Sequence, residues 1–408
     1  MAMQRLDFSL NAPLKGDLND LPVAAEYRLD LCGLGLVVGQ DEQVLAGQKL
    51  AVAEAGWTGD LHSPVAGTVR AVTGDEVVIA PDPSAPGREA DPVSLAGAPD
   101  ELLLTALSGL GVNIRGLFPA RNLVVNAVDP EPGVTAFSRI LAHFPEELTA
   151  GLELVKALVR PSKAILVTAQ GHDGRLDGTE SAHVPARYPF GLDAVAAATV
   201  TGKEDDPGTL VLGVDRLLNL GRAARGEAVT TTVCTAGGRD WLVPVGTPVS
   251  ALLSKAGLEP GRGDRVLLGG PLRGEAQYDT DAPVPKRAYA VSLVRSGDFP
   301  PVTTRPCLNC GQCVLACPAR IPVGLMTRYA EYGLFQKALE FDLDACFECG
   351  LCAFHCPARR PLVQFIRLAK ASLIESGYVS GPERLTPGMR PQHGYLPGPG
   401  ETAKGATP

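Results

Sequence analysis

Eight of the chain's ten cysteines fall between Cys307 and Cys356, in two runs with one spacing. The first run is Cys307, Cys310, Cys313 and Cys317, followed by Pro318; the second is Cys346, Cys349, Cys352 and Cys356, followed by Pro357. Both spell C-x2-C-x2-C-x3-C-P, the bacterial [4Fe–4S] spacing in which the fourth cysteine serves the other cluster. Three thiolates two residues apart wrap one corner of a cube. A helix expected to start at the fourth cysteine carries that sulfur away, and the proline sets the exit angle. The expected ligand sets are therefore Cys307, Cys310, Cys313 and Cys356 for one cluster, and Cys346, Cys349, Cys352 and Cys317 for the other. Gly311 and Gly350 lie inside the loops, where a missing Cβ lets backbone N–H groups approach the cluster sulfurs. Zinc is the weaker reading, because zinc sites use paired CxxC or Cys with His and need no third Cys before a CP.

Two clusters sharing interleaved ligands must lie close together, which describes an electron relay. The 28 residues between Cys317 and Cys346 carry a helical pattern over 323–341, predicting a helical ferredoxin-type domain. Cys32 and Cys234 sit in apolar strand contexts and read as core thiols. The six histidines, His62, His143, His172, His183, His355 and His393, form no HExxH or paired metal spacing. His355, which precedes a ligand, reads first as a surface residue.

The rest of the chain must position this module. At roughly 150 residues per domain, 408 residues suggest two to four domains. The net charge of −8 argues against a nucleic-acid partner. The beginning of the chain has no apolar signal-peptide core, and no run approaches a membrane span, so a reduced compartment is expected. Residues 1–24 read as a polar N-terminal extension. Short alternating strands between Gly turns predict a small β-barrel or sandwich over 25–95, its end and the start of the next domain forming a Pro/Gly-rich linker, 82–100. Apolar strands at LVVNAV, AILVTA and GTLVLG alternate with helical patterns over 96–228 and predict a parallel α/β domain. Residues 229–285 return to β with one helix, 286–300 read as a linker, 301–380 hold the clusters, and 381–408 read as a disordered tail.

CLNCGQCVLACPARIPV, CPARRPLVQFIRLAKASL and the order of the preceding modules resemble the RnfC-like family of the Rnf electron-transport complex, over residues 27–373. The resemblance implies a multidomain α/β and α+β fold. Its parts would be an N-terminal barrel-sandwich hybrid, a Rossmann-like α/β flavin/NADH-binding domain, a β-grasp (SLBB-like) domain, and a two-[4Fe–4S] ferredoxin-type domain. HSPVAGTV, residues 62–69, looks like the family's barrel-sandwich turn; it lacks a Lys, so no carried biotin or lipoyl group is expected. VVNAVDPEPGV, residues 124–134, looks like the family's acidic flavin-side loop, with Glu131 its best match. VPVGTPVSALLSKAG and LLGGPLRG look like the β-grasp signature.

The family's Gly-rich G-L-G-G-A-G-F-P loop corresponds to LSGLGVNIRGLFPARN, residues 107–122. It keeps Gly109, Gly111, Gly116, Phe118 and Pro119 but loses the contiguous glycines that would cradle a phosphate. Val112, Asn113, Ile114 and Arg115 are expected to obstruct the cradle. This argues against bound flavin mononucleotide and NAD(H), leaving an α/β scaffold with an eroded site.

The resemblance then implies a peripheral electron-transfer subunit on the cytoplasmic side of the bacterial inner membrane. It would relay electrons between a soluble partner, ferredoxin being one candidate, and other subunits of the membrane complex. Two alternatives stand beside it. One is a soluble NADH-dependent flavoprotein reductase similar to the cobalamin reductase of propanediol microcompartments; the other is a non-catalytic assembly module. Residues 301–375 carry eight Lys/Arg against six Asp/Glu, so the cluster module is the less acidic part of the chain.

Overall fold

A computed structural model describes residues 6–31, 33–53, 58–84, 99–203, 206–303 and 305–378. The expected tail (381–408), most of the linker between the first two domains, and Cys32 lie outside the described residues. The chain divides into two compact units, one spanning Arg5–Ser296 and one from Gly297.

The first unit begins with two small antiparallel sheets around one core. Strands Tyr27–Asp30, Glu76–Pro81, Gly67–Val72 and Gln43–Val44 form one sheet; Leu34–Leu36, Lys49–Ala53 and Leu61–His62 form the other. Alternate residues Tyr27, Leu29, Val77 and Ile79 turn inward, as the two-residue period of a strand requires. Gly67 is obligatory, since a Cβ there would lie 2.2 Å from the Ala80 carbonyl oxygen.

Next comes a four-stranded, wholly parallel sheet in the order Glu180–Val184, Lys163–Ala169, Asn122–Asn126, Thr209–Gly213. The central strand is buried along Leu123, Val124 and Val125, which explains its unbroken apolar text. After the Asn122–Asn126 strand come two helices, Ala136–His143 and Pro145–Val159. Pro145 starts the second, where its missing N–H costs nothing. That helix packs on Val214–Ala224 through Gly151 and Gly221; a Cβ on Gly221 would lie 1.8 Å from the Glu147 carbonyl oxygen. Strand Glu180–Val184 has no apolar signature in the sequence: four of its five residues are polar or small, and it lies at the sheet edge.

Two further expectations are corrected. Of the expected extension, residues 6–24 are not separate: Asn19–Asp20 pairs in parallel with Arg239–Pro244, and Leu10 and Leu21 are buried. Residues 286–300 are not a linker throughout, because Val291–Val294 pairs with Arg265–Leu268 and buries Ala290 and Val291. Both pairings join residues far apart in the chain, which local composition does not register.

The second unit is helical. Its core of Ile321, Val323, Met326, Ala330, Ala338, Leu343, Leu362, Ile366, Ala369 and Leu373 gathers helices Val323–Glu331, Phe335–Leu339 and Leu362–Glu375. Its two halves repeat at a constant 39-residue offset, from Cys307 to Cys346 and from Cys317 to Cys356. The backbone repeats with the sequence. Left-handed residues recur at Asn309 and Glu348, Gly311 and Gly350, and Arg320 and Arg359. The helix expected to start at each fourth cysteine is corrected. A short helix, Gln312–Leu315 or Leu351–Phe354, ends before it, and the long helix starts at Val323 or Leu362. The proline and the left-handed Arg320 or Arg359 break the chain between them.

Candidate metal centre and the eroded loop

Cys307, Cys310, Cys313 and Cys356 line one cavity of about 260 Å3, together with Leu308, Val314, Pro322, Leu325, Arg328 and Arg360. Cys317, Cys346, Cys349 and Cys352 line a second, tighter recess with Pro318, Val323, Glu348, Val363 and Ile366. Each space thus gathers three thiols from one half of the repeat and one from the other. All eight thiols are free of disulfides. Each set surrounds a space rather than a point: among the described residues no three His, Cys, Asp or Glu side chains could hold a single metal ion.

The loops aim donors at sulfur. The Asn309 N–H donates to Cys307 Sγ and the Glu348 N–H to Cys346 Sγ, both at 3.4 Å. Both donors sit in the left-handed region, at φ 54° and 52°. Gly324, in the first turn of the Val323–Glu331 helix, lines the first cavity, where a Cβ would lie 3.4 Å from Cys313 Sγ. Burial raises the pKa of Cys346 and Cys352, and neighbouring thiols raise Cys352 further. Such thiols stay protonated until a metal takes the proton's place. An all-thiol donor set with N–H groups on its sulfurs fits a [4Fe–4S] cluster in each space.

The two spaces differ in surroundings. Cys346, Cys349 and Cys352 are buried, whereas Cys310 is exposed. Beside the buried set, Lys370 Nζ donates to the Cys346 carbonyl oxygen and to Glu348, both at 2.9 Å, while Arg367 Nε donates to Glu348 at 3.0 Å. Burial pushes the Glu348 carboxyl up, but Lys370 and Arg367 outweigh it and hold its pKa below the usual range. At the other cavity, Arg360 is buried and pairs with Glu331, its guanidinium resting over the Phe365 ring, while Nη1 has no partner. Motif spacing points to none of these cations. The signal available in the sequence is Arg367 and Lys370 at i, i+3 on one helix, facing the loop that ends at Glu348.

The flavin-like loop is placed quite differently. Glu131 is fully buried, and its carboxylate accepts four hydrogen bonds: from the Gly270, Leu272 and Arg273 N–H groups and from the Tyr289 hydroxyl. Gly109 and Gly111 pack elsewhere, towards Lys49, Asp60, His62 and Lys286. Gly111 and Gly116 adopt positive φ, 87° and 75°. Val112 and Ile114, expected to obstruct a cradle, turn into the α/β core. The N–H groups of Leu110, Gly111, Val112 and Leu117 donate to nearby carbonyls, and that of Arg115 to the Asn113 side chain. Arg216 holds the carbonyls of Asn113 and Arg115. These five N–H groups are therefore spent and not free to cradle a phosphate. Cys234 is buried among strand residues, and burial raises its thiol pKa, as suits a core thiol. His62, which belongs to no metal spacing, is buried, and its Nδ1 has no partner.

The family description "4Fe-4S dicluster domain" matches residues 306–359, which contain all eight motif cysteines. The RnfC subunit of the ion-translocating oxidoreductase complex of Rhodobacter capsulatus is 27% identical over 383 residues, covering 78% of this chain and 74% of that protein. The chain is a relative of RnfC. The Yersinia pseudotuberculosis RnfC is 28% identical over 70% of this chain, and the Pseudomonas aeruginosa one likewise. Against these two longer relatives the match spans under half of their length, 48% and 43%. Among solved structures, an NAD+-reducing [NiFe]-hydrogenase in the H2-reduced state aligns over 71% of this chain and 57% of its own, at 18% identity and a TM-score of 0.37.

Proposed function

We propose that this RnfC relative is a peripheral electron-transfer subunit of an Rnf-type membrane complex. It passes electrons between a soluble redox partner and other subunits of that complex. The observation that carries the reading is the pair of four-thiol spaces, each completed by a cysteine from the opposite half. Cys307, Cys310, Cys313 and Cys356 would hold one [4Fe–4S] cluster, and Cys346, Cys349, Cys352 and Cys317 the other. Each cluster supplies a one-electron redox centre when bound. The chain's own residues do the remainder. Asn309 and Glu348 aim N–H groups at ligand sulfurs, Val363 and Ile366 exclude water from the second site, and Lys370 and Arg360 set positive charge beside the two sites.

The same reading takes the two-sheet region as a barrel-sandwich domain without a carrier lysine, the parallel sheet as a Rossmann-like scaffold, and residues 229–296 as a β-grasp domain. The spent N–H groups around Gly111 and the saturated Glu131 carboxylate support a scaffold that holds neither flavin mononucleotide nor NAD(H). No helix among the described residues is long and apolar enough to cross a membrane. Attachment on the cytoplasmic face would therefore come through partner subunits.

The test is anaerobic reconstitution followed by iron, sulfide and flavin analysis and electron paramagnetic resonance after dithionite reduction. Two interacting S = 1/2 signals without flavin, and no bleaching by NADH, are expected. Stoichiometric flavin with NADH-driven cluster reduction would overturn the eroded-site part. Clusters that dithionite cannot reduce would overturn the relay and leave an assembly role.

A further inference from the structure

The loop that carries the first cysteine triad is laid open to solvent. Leu308 is 65% exposed and Leu315 80%, Val314 is exposed, and Cys310 is itself an exposed thiol. Apolar residues displayed singly need no explanation, but these three lie within five residues of the exposed Cys310 on one segment. The charge pattern of this segment is one-sided. Between Asp298 and Glu331 the sequence has no Asp or Glu, while Arg305, Arg320 and Arg328 give it three positive charges. All three arginines are exposed, and Arg328 lines the cavity of the first triad. The chain as a whole is acidic, at −8, so this acid-free stretch stands against its background. The second triad offers no comparable surface, because its thiols are buried and Glu348 lies at its recess.

We propose that the surface around Leu308, Cys310, Val314 and Leu315 is the docking face for a small acidic electron-carrier protein. The carrier would present carboxylates around an apolar rim at its own redox group. This rests on the relay reading above and deepens it by assigning the intermolecular step to the Cys307 set. The step transfers one electron between the carrier's redox group and that site, with no bond made and no proton moved. Arg305 and Arg328 supply attraction and orientation, and the leucines supply the water-excluding contact that brings the carrier close to Cys310. An anionic lipid surface would also suit cationic and apolar residues. The exposed redox ligand at the centre favours a partner that exchanges electrons.

The test uses the full, cluster-loaded chain in stopped-flow mixing with a reduced plant-type [2Fe–2S] ferredoxin, an acidic carrier, and, after dithionite reduction of the chain and removal of excess reductant, with oxidised cytochrome c, a basic one. The ferredoxin rate constant is expected to fall as salt rises, and the cytochrome c rate is not. Arg305→Glu and Leu315→Glu, which lie outside the cavity lining, should each slow the ferredoxin reaction by about tenfold at low salt. Leu315→Lys should preserve the salt dependence. Dithionite reduction, followed by electron paramagnetic resonance, should be unchanged in all three. Rates indifferent to salt and to these variants would overturn the docking face and leave the relay standing. Failure of dithionite to reduce the wild-type clusters would overturn both. Co-flotation with phosphatidylglycerol vesicles, lost on Arg305→Glu and Leu315→Glu, would overturn the proposal by assigning the face to a membrane.

Discussion

The Tyr289 hydroxyl donates to Glu131 at 2.7 Å, completing two hydrogen bonds on each oxygen of a carboxylate that no solvent reaches. The residue that best matches a flavin-side acid is thereby a clasp on the 270–273 turn. Gly270 has no Cβ because one would lie 2.6 Å from the Glu131 side chain. Glu131→Gln replaces one acceptor oxygen with an N–H2 group that faces donors. A loss of about 2–4 kcal/mol is expected in urea unfolding of the first unit, and Tyr289→Phe should cost about 1 kcal/mol. Neither change should alter iron content or introduce flavin. An unfolding midpoint unmoved by Glu131→Gln would refute the clasp.

The acid limb of stability should trace to His62. Burial first, then the charges of Lys286 and Lys49, pull its pKa from 6.5 to about 4, against a smaller opposing pull from Asp60. A base with a folded pKa below its unfolded value binds fewer protons when folded. The contribution of His62 therefore rises with pH across that window and falls as acid is added, opposed by Asp129, whose carboxyl burial pushes up to about 7. Crossing from 6.5 to about 4 should remove about 3 kcal/mol. Lys286, lowered by burial to about 8, adds a second gain only as pH rises above that value. Both tryptophans, Trp57 and Trp241, precede Gly297, so their fluorescence in urea reports the first unit alone. His62→Asn should flatten the acid limb; an unchanged slope would count against this assignment.

Ligand exchange between the two halves has a direct signature. Cys317→Ala should abolish the signal of the buried site, whose recess Cys317 lines, and spare that of the Cys307 set. Cys356→Ala should do the reverse. Each variant should retain about half the wild-type iron. If Cys317→Ala instead removed the solvent-exposed cluster, the assignment would be wrong.

Arg360 and Glu331 offer a test of opposite signs. A buried guanidinium beside the first cavity favours the more negative, reduced form of a cluster held there, and Glu331 partly cancels it. Arg360→Gln should lower the midpoint potential of that cluster, and Glu331→Gln should raise it. The other cluster should move less in both. Redox titration followed by electron paramagnetic resonance checks this, and shifts of the same sign would rule it out.

The two cysteine triads are legible in the sequence because their information is local: three thiols and a turn fit within eight residues, and spacing alone groups them. The central strand Asn122–Asn126 is legible for a similar reason, since burial on both faces leaves an unbroken apolar run. What escapes reading depends on distant pairing. Asn19–Asp20 and Val291–Val294 are strands only because Arg239–Pro244 and Arg265–Leu268 lie beside them. The same holds for charge. Nothing near Lys286 in the chain announces that its ammonium will rest on the carbonyl oxygens of Asp60 and Gly111. That residues 107–122 lack contiguous glycines can be read in residue types, but not that the N–H groups of Leu110, Gly111, Val112 and Leu117 are used internally.

The 39-residue repeat gives the second unit an internal control. Gly311 and Gly350 hold the same backbone state, φ 74° and 79°, at the same step of the same motif. One loop is exposed and the other is sunk in the core. An identical substitution at the paired positions therefore changes the same chemistry in two dielectrics within one molecule, under one buffer and one preparation. The difference between the twin variants isolates what solvent contributes, a comparison that otherwise requires two different proteins.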